Sequence, residues 1–336
     1  MARPRKTTLP EKILKIETES CNFTPVDQIP EEYQHLLIPA AKVFFTRDYD
    51  FDMVCQCIRL GFFSIWTHEI FAMEAINLLP VTCKEIVALH FMAHGGTKAE
   101  IAQTGSYPLN GKEVVLFKLN AQFNEAPMKR GDEMFSFHIN VLPADLPKLG
   151  EKHPELAQLA KKELIPGSGP LQDKPYKINL VCNYLIKEIT DCKYIEQAAE
   201  KFLYRCALDL FINFANQDKI AHLPNIYYSD EMKATLVDTV EYIKETVEEP
   251  FNLAKIAYHF DVKAQELRAA FENTYQITME EFDLQRKMIH AFDMTVATKA
   301  TPEEIGNAIC IRDTKQFINL FESYFDCSFI RVRNAQ

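Results

Sequence analysis

Short apolar runs alternate with polar residues between about residues 42 and 141, at the period of two that β-strands with one buried face show. Turn signals separate the runs, and Asn110-Gly111 in "LNGKE" favours a tight hairpin. Six or seven strands at this spacing predict an antiparallel sandwich or barrel. The runs are KVFFT, MVCQCIRL, FFSIWTHEIF, EIVALHFMAH, AEIAQTG, EVVLFKL and EMFSFHINV.

The apolar period becomes helical after "LPADLPKLGEKHPEL". The segments "PYKINLVCNYLIKEITDC" and "YIEQAAEKFLYRCALDLFINFA" each carry an apolar stripe at spacings of three and four. These apolar stripes are expected to pack either on the sandwich or against a second copy of the chain. The following segment, "QDKIAHLPNIYYS" (217–229), is predicted to connect two domains.

From Asp230 onward, capping signals delimit a series of helices. Thr301 and Glu304 form one predicted capping box, with a proline at the first helical position, and Thr278 and Glu281 form another. The predicted helices are Leu236–Thr246, Leu253–Phe260, Ala264–Thr274, Met279–Thr298, Pro302–Ile309 and Thr314–Phe325.

Two pairs of short helices recur in this region, "LAKIAYHFDVKAQELRAAFENTY" and "EEIGNAICIRDTKQFINLFESYF". In each pair an apolar residue and a small residue are followed, after a short turn, by a helix that ends with phenylalanine. This pattern predicts two helix-turn-helix units, which present their second helices to the major groove of DNA.

The chain from about Leu236 to Arg333 resembles the C-terminal domain of the AraC/XylS family of bacterial transcription regulators. The residues that carry the resemblance are Leu253, Ile256, Ala257, Leu267, Phe271, Phe282, Lys287, Met288, Ala291, Ile305, Asp313, Phe317, Phe321, Phe325, Ser328 and Arg333. The resemblance implies an α+β chain: an N-terminal cupin-like antiparallel β-sandwich with a helical segment, then an all-α double helix-turn-helix domain. The expected divisions are a lead-in tail (1–40), a sandwich sensor domain (41–145), a helical dimerisation or linker segment (146–220) and the DNA-binding domain (230–336).

The resemblance also places the surface that would meet DNA. Glutamine and asparagine can pair with adenine, and arginine or lysine with guanine or phosphate. Against the family pattern, Asn319 and Ala269 stand where arginine is usual, and Glu322 and Glu272 stand where lysine is usual. The candidate DNA-binding residues are Lys263, Gln265, Arg268, Lys287, Arg312, Lys315, Gln316 and Asn319.

The charge of the chain opposes strong DNA binding. The formal net charge is −10, and residues 230–336 contain 12 Lys and Arg against 19 Asp and Glu. Weak non-specific binding follows, because that binding depends on cations that neutralise phosphates. The N-terminal cations Arg3, Arg5 and Lys6 are interpreted as a solvated tail, with a minor-groove arm as the alternative.

No catalytic centre, metal site or cofactor is predicted. Phosphate-binding glycine motifs and nucleophile arrangements are missing, and no His-x-His pair occurs among the sandwich histidines. Those histidines and their neighbouring acid are His68, Glu69, His90, His94 and His138. The lone tryptophan, Trp66, is expected in the core, with a ligand-stacking wall as the lesser alternative.

Nine cysteines without a C-x-x-C pair are interpreted as reduced and structural, and no apolar run reaches membrane-spanning length, so a cytoplasmic protein is expected. Cys55 and Cys57 share a strand face, which favours a core pair over a metal clip. The leading hypothesis is a homodimeric, DNA-binding regulator that responds to a small molecule. The rival is a degenerate AraC-like protein that has lost DNA binding and acts by protein-protein interaction.

Overall fold

The computed structural model describes residues 9–16, 29–224 and 226–334. The chain divides into two compact units between Ile178 and Asn179. The first unit is mainly antiparallel sheet and the second is helical, so the α+β prediction is confirmed. The basic tip at residues 1–8 lies outside the described residues.

The described residues of the first unit form three sheets. The largest has eight strands, all antiparallel, in the order β12-β9-β6-β11-β4-β3-β2, with β13 also paired to β9. A second sheet has the order β1-β5-β10, in which β1 and β5 are parallel, and β7 pairs with β8. The strands are β1 (Glu11–Ile16), β2 (Lys42–Arg47), β3 (Phe51–Leu60), β4 (Phe63–Ala72), β5 (Ile76–Thr82), β6 (Ile86–His94), β7 (Gly96–Ile101), β8 (Gly105–Asn110), β9 (Glu113–Leu119), β10 (Ala126–Met128), β11 (Glu133–Val141), β12 (Gly169–Pro170) and β13 (Tyr176–Lys177).

Helices fill the second unit, and two short ones lie at the end of the first. None of the helices in the described part of the chain combines the length and apolar character needed to cross a membrane. The helices are α1 (Leu146–Lys152), α2 (Ala157–Ala160), α3 (Leu180–Thr190), α4 (Glu196–Ile220), α5 (Asp230–Glu245), α6 (Leu253–His259), α7 (Ala264–Tyr275), α8 (Met279–Ala297), α9 (Pro302–Ala308), α10 (Thr314–Phe325) and α11 (Phe329–Arg333).

Two details of the predicted first unit are wrong. The expected lead-in tail contains β1 and a short 3-10 helix (Glu31–Leu36), because Leu14 and Ile16 alternate with polar residues and are buried against the core. The expected hairpin at Asn110-Gly111 does not form, since β8 pairs with β7 whereas β9 pairs with β6. The left-handed residue of this turn is Lys112, with φ of 64°.

The segment expected to mediate dimerisation is divided between the units. Helices α1 and α2 belong to the first unit, whereas α3 and α4 belong to the second and pack among its C-terminal helices. The apolar stripe of α4 is buried there, with Phe202 only 5.3 Å from Phe292 of α8 between ring centroids. This stripe therefore serves the core of the second unit, and residues 217–229 join two helices of one unit.

Candidate DNA-reading surface

The second unit contains two copies of a helix-turn-helix. Asn252 caps α6 and Thr301 caps α9, 49 positions apart, while α7 and α10 begin 50 positions apart. Thr278 and Ser328 cap the helices that follow, again 50 apart. Both predicted capping boxes are confirmed, with Glu281 and Glu304 bonded to the N-cap amides. Local capping thus fixes where each helix starts.

The turn inside the second copy is tight. Gly306 lies where a Cβ would stand 2.7 Å from the carbonyl oxygen of Ile311, so only glycine fits without movement. Cys310 has φ of 63°, which favours glycine, and its Sγ donates a hydrogen bond of 3.0 Å to the Glu248 carbonyl. In the first copy Asp261 takes the same left-handed conformation, with φ of 53°. Each helix-turn-helix therefore has one left-handed residue between its two helices.

Aromatic packing holds α10 in place. Phe321 and Phe325 lie 6.0 Å and 4.7 Å from the ring of Phe292 on α8, and Phe317 lies 6.0 Å from Phe329 on α11. All five rings are buried. Because these residues occupy one face of α10, its opposite face is turned toward solvent.

Helix α4 contacts the ends of both second helices. Asn213 is buried, and its side-chain amide donates a 2.6 Å hydrogen bond to the carbonyl of Tyr275, the last residue of α7. One turn earlier on α4, the Asp209 carboxylate accepts a 2.7 Å hydrogen bond from the hydroxyl of Tyr324 on α10. The guanidinium of Arg205 stacks over that phenol ring at 3.9 Å. A single helix therefore connects α7 and α10.

Seven of the eight predicted reading residues are exposed on the N-terminal parts of α7 and α10 or just before them. Lys287 is the exception, because its side chain is buried on α8. Its side chain is 7% exposed, and Nζ lies 2.8 Å from the Asp283 carboxylate, one turn earlier on α8. A lysine that is buried and paired in this way is not presented on the surface that would face a phosphate. The exposed residues are Lys263, Gln265, Arg268, Arg312, Lys315, Gln316 and Asn319.

The two reading segments are electrically neutral. Residues 263–272 contain two cations and two carboxylates, and so do residues 312–322. Arg268 forms an ion pair with Glu280 in the first turn of α8, which occupies its guanidinium. Neither segment therefore provides a continuous strip of positive charge.

Two of the carboxylates in and around α10 have structural partners. Asp313 accepts a 2.8 Å hydrogen bond from the backbone N–H of Gln316 and caps α10. Glu322, which stands where the AraC/XylS pattern usually has lysine, accepts a 3.0 Å hydrogen bond from the Phe329 N–H at the start of α11. This role of Glu322 has no local signal in the sequence, since its partner lies beyond a turn.

The first unit contains a partly open cavity of about 90 Å³ lined by residues of its sheets. Its walls are mostly aliphatic and aromatic, and His90 and His138 contribute the buried imidazoles. Trp66 is 1% exposed, as the prediction of a core position requires, whereas His94 lies exposed at the end of β6. Among the described residues, no three histidine, cysteine or acidic side chains are placed to hold a metal ion.

Comparisons with known proteins find similarity among solved structures alone. No protein-family model matches the chain, and no curated protein matches it. A transcriptional regulator with an AraC-type DNA-binding domain from Chromobacterium violaceum is 19% identical over 32% of this chain and 95% of its own, with a TM-score of 0.29. The C-terminal domain of the response regulator yesN from Fusobacterium nucleatum is 22% identical over 30% and 96%, with a TM-score of 0.27.

A longer similarity covers both units. ToxT from Vibrio cholerae, solved with an unsaturated fatty acid bound, is 13% identical over 81% of this chain and 95% of its own, with a TM-score of 0.29. At these identities and TM-scores the likeness assigns neither a ligand nor a DNA site. The resemblance to the AraC/XylS family rests on the residues of the C-terminal helices.

Proposed function

We propose that this chain is a sequence-specific DNA-binding transcription regulator of the AraC type. The observation that carries the proposal is the pair of helix-turn-helix units in one compact domain, each with exposed polar residues on its second helix. Such a pair suits two neighbouring major-groove segments, which are about 34 Å apart for one helical turn of B-DNA. The exposed amides of Gln265 and Gln316 suit adenine, and Arg312 and Lys315 suit guanine or phosphate.

Regulation in this proposal is a population shift rather than chemistry. A small molecule bound in the cupin-like first unit would favour one presentation of the DNA-binding helices over another. The protein would act in the bacterial cytoplasm, without a catalytic role, as a homodimer. Dimer formation would require a surface other than the apolar stripe of α4, since that stripe is buried in the second unit.

Salt dependence of DNA binding tests the proposal. Fluorescence anisotropy would compare DNA from upstream of the protein's own coding sequence with a scrambled duplex, at low and moderate salt. We expect preference for the upstream DNA, and a weak slope of log affinity against log salt, about −3, for three available cations. Absence of binding to either duplex at low salt would refute it.

A second candidate function is supported by the neutral reading segments and the ion pair between Arg268 and Glu280. In that case the chain keeps the fold, has lost DNA binding and pairs with a related regulator. Adding the purified chain to such a regulator would then lower that regulator's occupancy of its operator, and the two would co-elute in gel filtration. Unchanged occupancy would exclude this candidate.

A further inference from the structure

The interior wall of the eight-stranded sheet carries a line of imidazoles across three neighbouring strands. His68 on β4, His138 on β11 and His90 on β6 are all buried. His138 and His90 are directly opposite each other in the strand register, and Trp66 is opposite His138 on its other side. Side chains opposite each other in a sheet share a face. Three histidines and the one tryptophan of the chain thus occupy a single interior surface.

Hydrogen bonding accounts for most of these imidazole nitrogens. The Nδ1 atoms of His90 and His138 are 3.2 Å apart, and Ser136 Oγ lies 3.2 Å from His138 Nε2. The Nδ1 atom of His68 lies 3.0 Å from the Cys55 sulfur. His90 Nε2, His68 Nε2 and Trp66 Nε1 are buried and have no hydrogen-bond partner among the described residues, and of these three residues only His90 lines the cavity. A buried polar atom of this kind costs about 1 to 3 kcal/mol until it is satisfied.

The lining of the cavity is almost wholly apolar, and His90 is one of its few polar residues. Ala88, Met92, Phe117 and Met134 stand around the imidazole pair, and the opposite wall is equally aliphatic. Among the residues that the structure describes, no lysine or arginine lines the cavity, and the one charged lining residue is a carboxylate, Glu125. An anion placed here would lose its water without gaining a counter-charge.

The imidazoles themselves are uncharged at neutral pH. Burial lowers the pKa of His90 to about 4 and that of His68 to about 3. Burial also lowers the pKa of His138, with its histidine neighbours adding to the effect. The cavity therefore provides neutral hydrogen-bonding groups and no positive charge.

We propose that this cavity binds a small uncharged molecule with an apolar body and a single hydroxyl group, which pairs with His90 Nε2. Of the two tautomers of His90, one presents N–H at Nε2 and the other a lone pair, and a hydroxyl satisfies either. A sugar would leave most of its hydroxyls unpaired against apolar walls, and a carboxylate would lack a cation. The inference rests on the proposed function in so far as the ligand would be its effector.

The size of the ligand follows from the cavity. An apolar cavity of about 150 Å³ holds benzene, so a cavity of about 90 Å³ suits a molecule with fewer heavy atoms. We choose 1-butanol as the probe, 1-chlorobutane as a probe of similar size without a hydroxyl, and butyrate as the charged probe. The emission of Trp66, the single tryptophan, reports binding in the same wall, and calorimetry of the same titrations provides a second measurement.

We expect saturable binding of 1-butanol to the full-length protein, about five-fold tighter than binding of 1-chlorobutane, as one neutral hydrogen bond provides. Butyrate should bind at least about ten-fold more weakly than 1-butanol. No saturable binding of 1-butanol, equal binding of 1-butanol and 1-chlorobutane, or binding of butyrate as tight as that of 1-butanol would each overturn the proposal. No DNA is present, so these outcomes are independent of the anisotropy assay.

Two variants locate the interaction. His90→Leu removes the hydrogen bond and retains apolar volume, so the preference for 1-butanol should fall to about one-fold while 1-chlorobutane binds as before. Ala88→Leu fills the cavity and should abolish binding of both. A retained preference in folded His90→Leu, or retained binding in folded Ala88→Leu, would contradict the assignment. Circular dichroism checks folding, and if neither variant folds, the three wild-type titrations decide.

Discussion

Replacing Glu280 with glutamine should raise the DNA affinity of this protein, because it releases the guanidinium of Arg268. In the structure Arg268 projects from α7, the second helix of the first helix-turn-helix, and is paired with Glu280 at the start of α8. To contact a base or phosphate, the arginine must first leave this partner. The Glu280→Gln variant removes that competition without changing the size of the side chain.

The expected increase in DNA affinity can be estimated from the solvent exposure of the Arg268–Glu280 ion pair. The Arg268 side chain is 52% exposed and that of Glu280 is 38% exposed, so solvent screens their attraction. An ion pair of this kind contributes about 0.2 to 1 kcal/mol. Releasing it should therefore increase DNA affinity by about 1.4-fold to 5-fold. One additional phosphate contact would also steepen the salt slope by about 0.9.

Fluorescence anisotropy at several salt concentrations would measure both quantities on one duplex. Glu303→Gln is the matched control, because Glu303 is an exposed carboxylate in the first turn of α9 and its loss changes the net charge equally. Measuring Glu280→Gln in an Arg268→Ala background distinguishes release of the Arg268 guanidinium from a general effect of net charge on DNA affinity. If Glu280→Gln gives the same increase in that background, or if Glu303→Gln matches it, release of Arg268 is not the cause.

Three further outcomes are expected. Cys310→Gly should raise the free energy of unfolding by up to about 1 kcal/mol in urea titrations by relieving the left-handed backbone, whereas Cys310→Ala should not; equal effects would show that backbone strain is unimportant. Asn213→Ala should destabilise the second unit by about 1 kcal/mol, since it removes the shorter of two side-chain hydrogen bonds to the Tyr275 carbonyl and leaves the Asn179 amide as its donor; a loss below about 0.3 kcal/mol by calorimetry would contradict this. The folded-state pKa values of His68 and His90 lie below the unfolded value of 6.5, so the first unit should lose stability as pH falls from about 6.5 toward 4, by roughly 2 kcal/mol per histidine at pH 5. Urea unfolding followed by Trp66 emission would measure this, and stability that stays constant from pH 7 to 5 would refute it.

The C-terminal helices were predictable because their signals are local. A capping box satisfies backbone amides within three residues, and an apolar stripe repeats every three or four. The predicted helix Thr314–Phe325 has the bounds that the structure shows, and five others differ at one or both ends. The largest difference is at α5, which begins at Asp230 because Ser229 accepts a hydrogen bond from the Met232 N–H.

The residues of the candidate DNA-reading surface could be predicted from the sequence, but which of their side chains are accessible to solvent could not be predicted in every case. Exposure of Gln265, Arg312 and Gln316 follows from the helical period, which places them opposite buried positions. The burial of Lys287 does not follow from it, because a lysine is rarely buried unless a carboxylate neutralises it. Asp283 lies one turn earlier and could have indicated this pair, since residues four apart on a helix face each other.

The sequence by itself determined the class of each half of the chain, the helix starts and the faces that must be buried. All of these depend on interactions within a few residues. Such interactions are visible in the sequence as apolar positions that repeat every two residues in strands and every 3.6 residues in helices. Tertiary structure decided which surfaces meet. It joined β8 to β7 rather than to β9, buried the stripe of α4 within the second unit and paired Arg268 with Glu280. These pairings connect residues that are distant along the chain, and several partners satisfy the same local pattern, so only the complete packing selects among them.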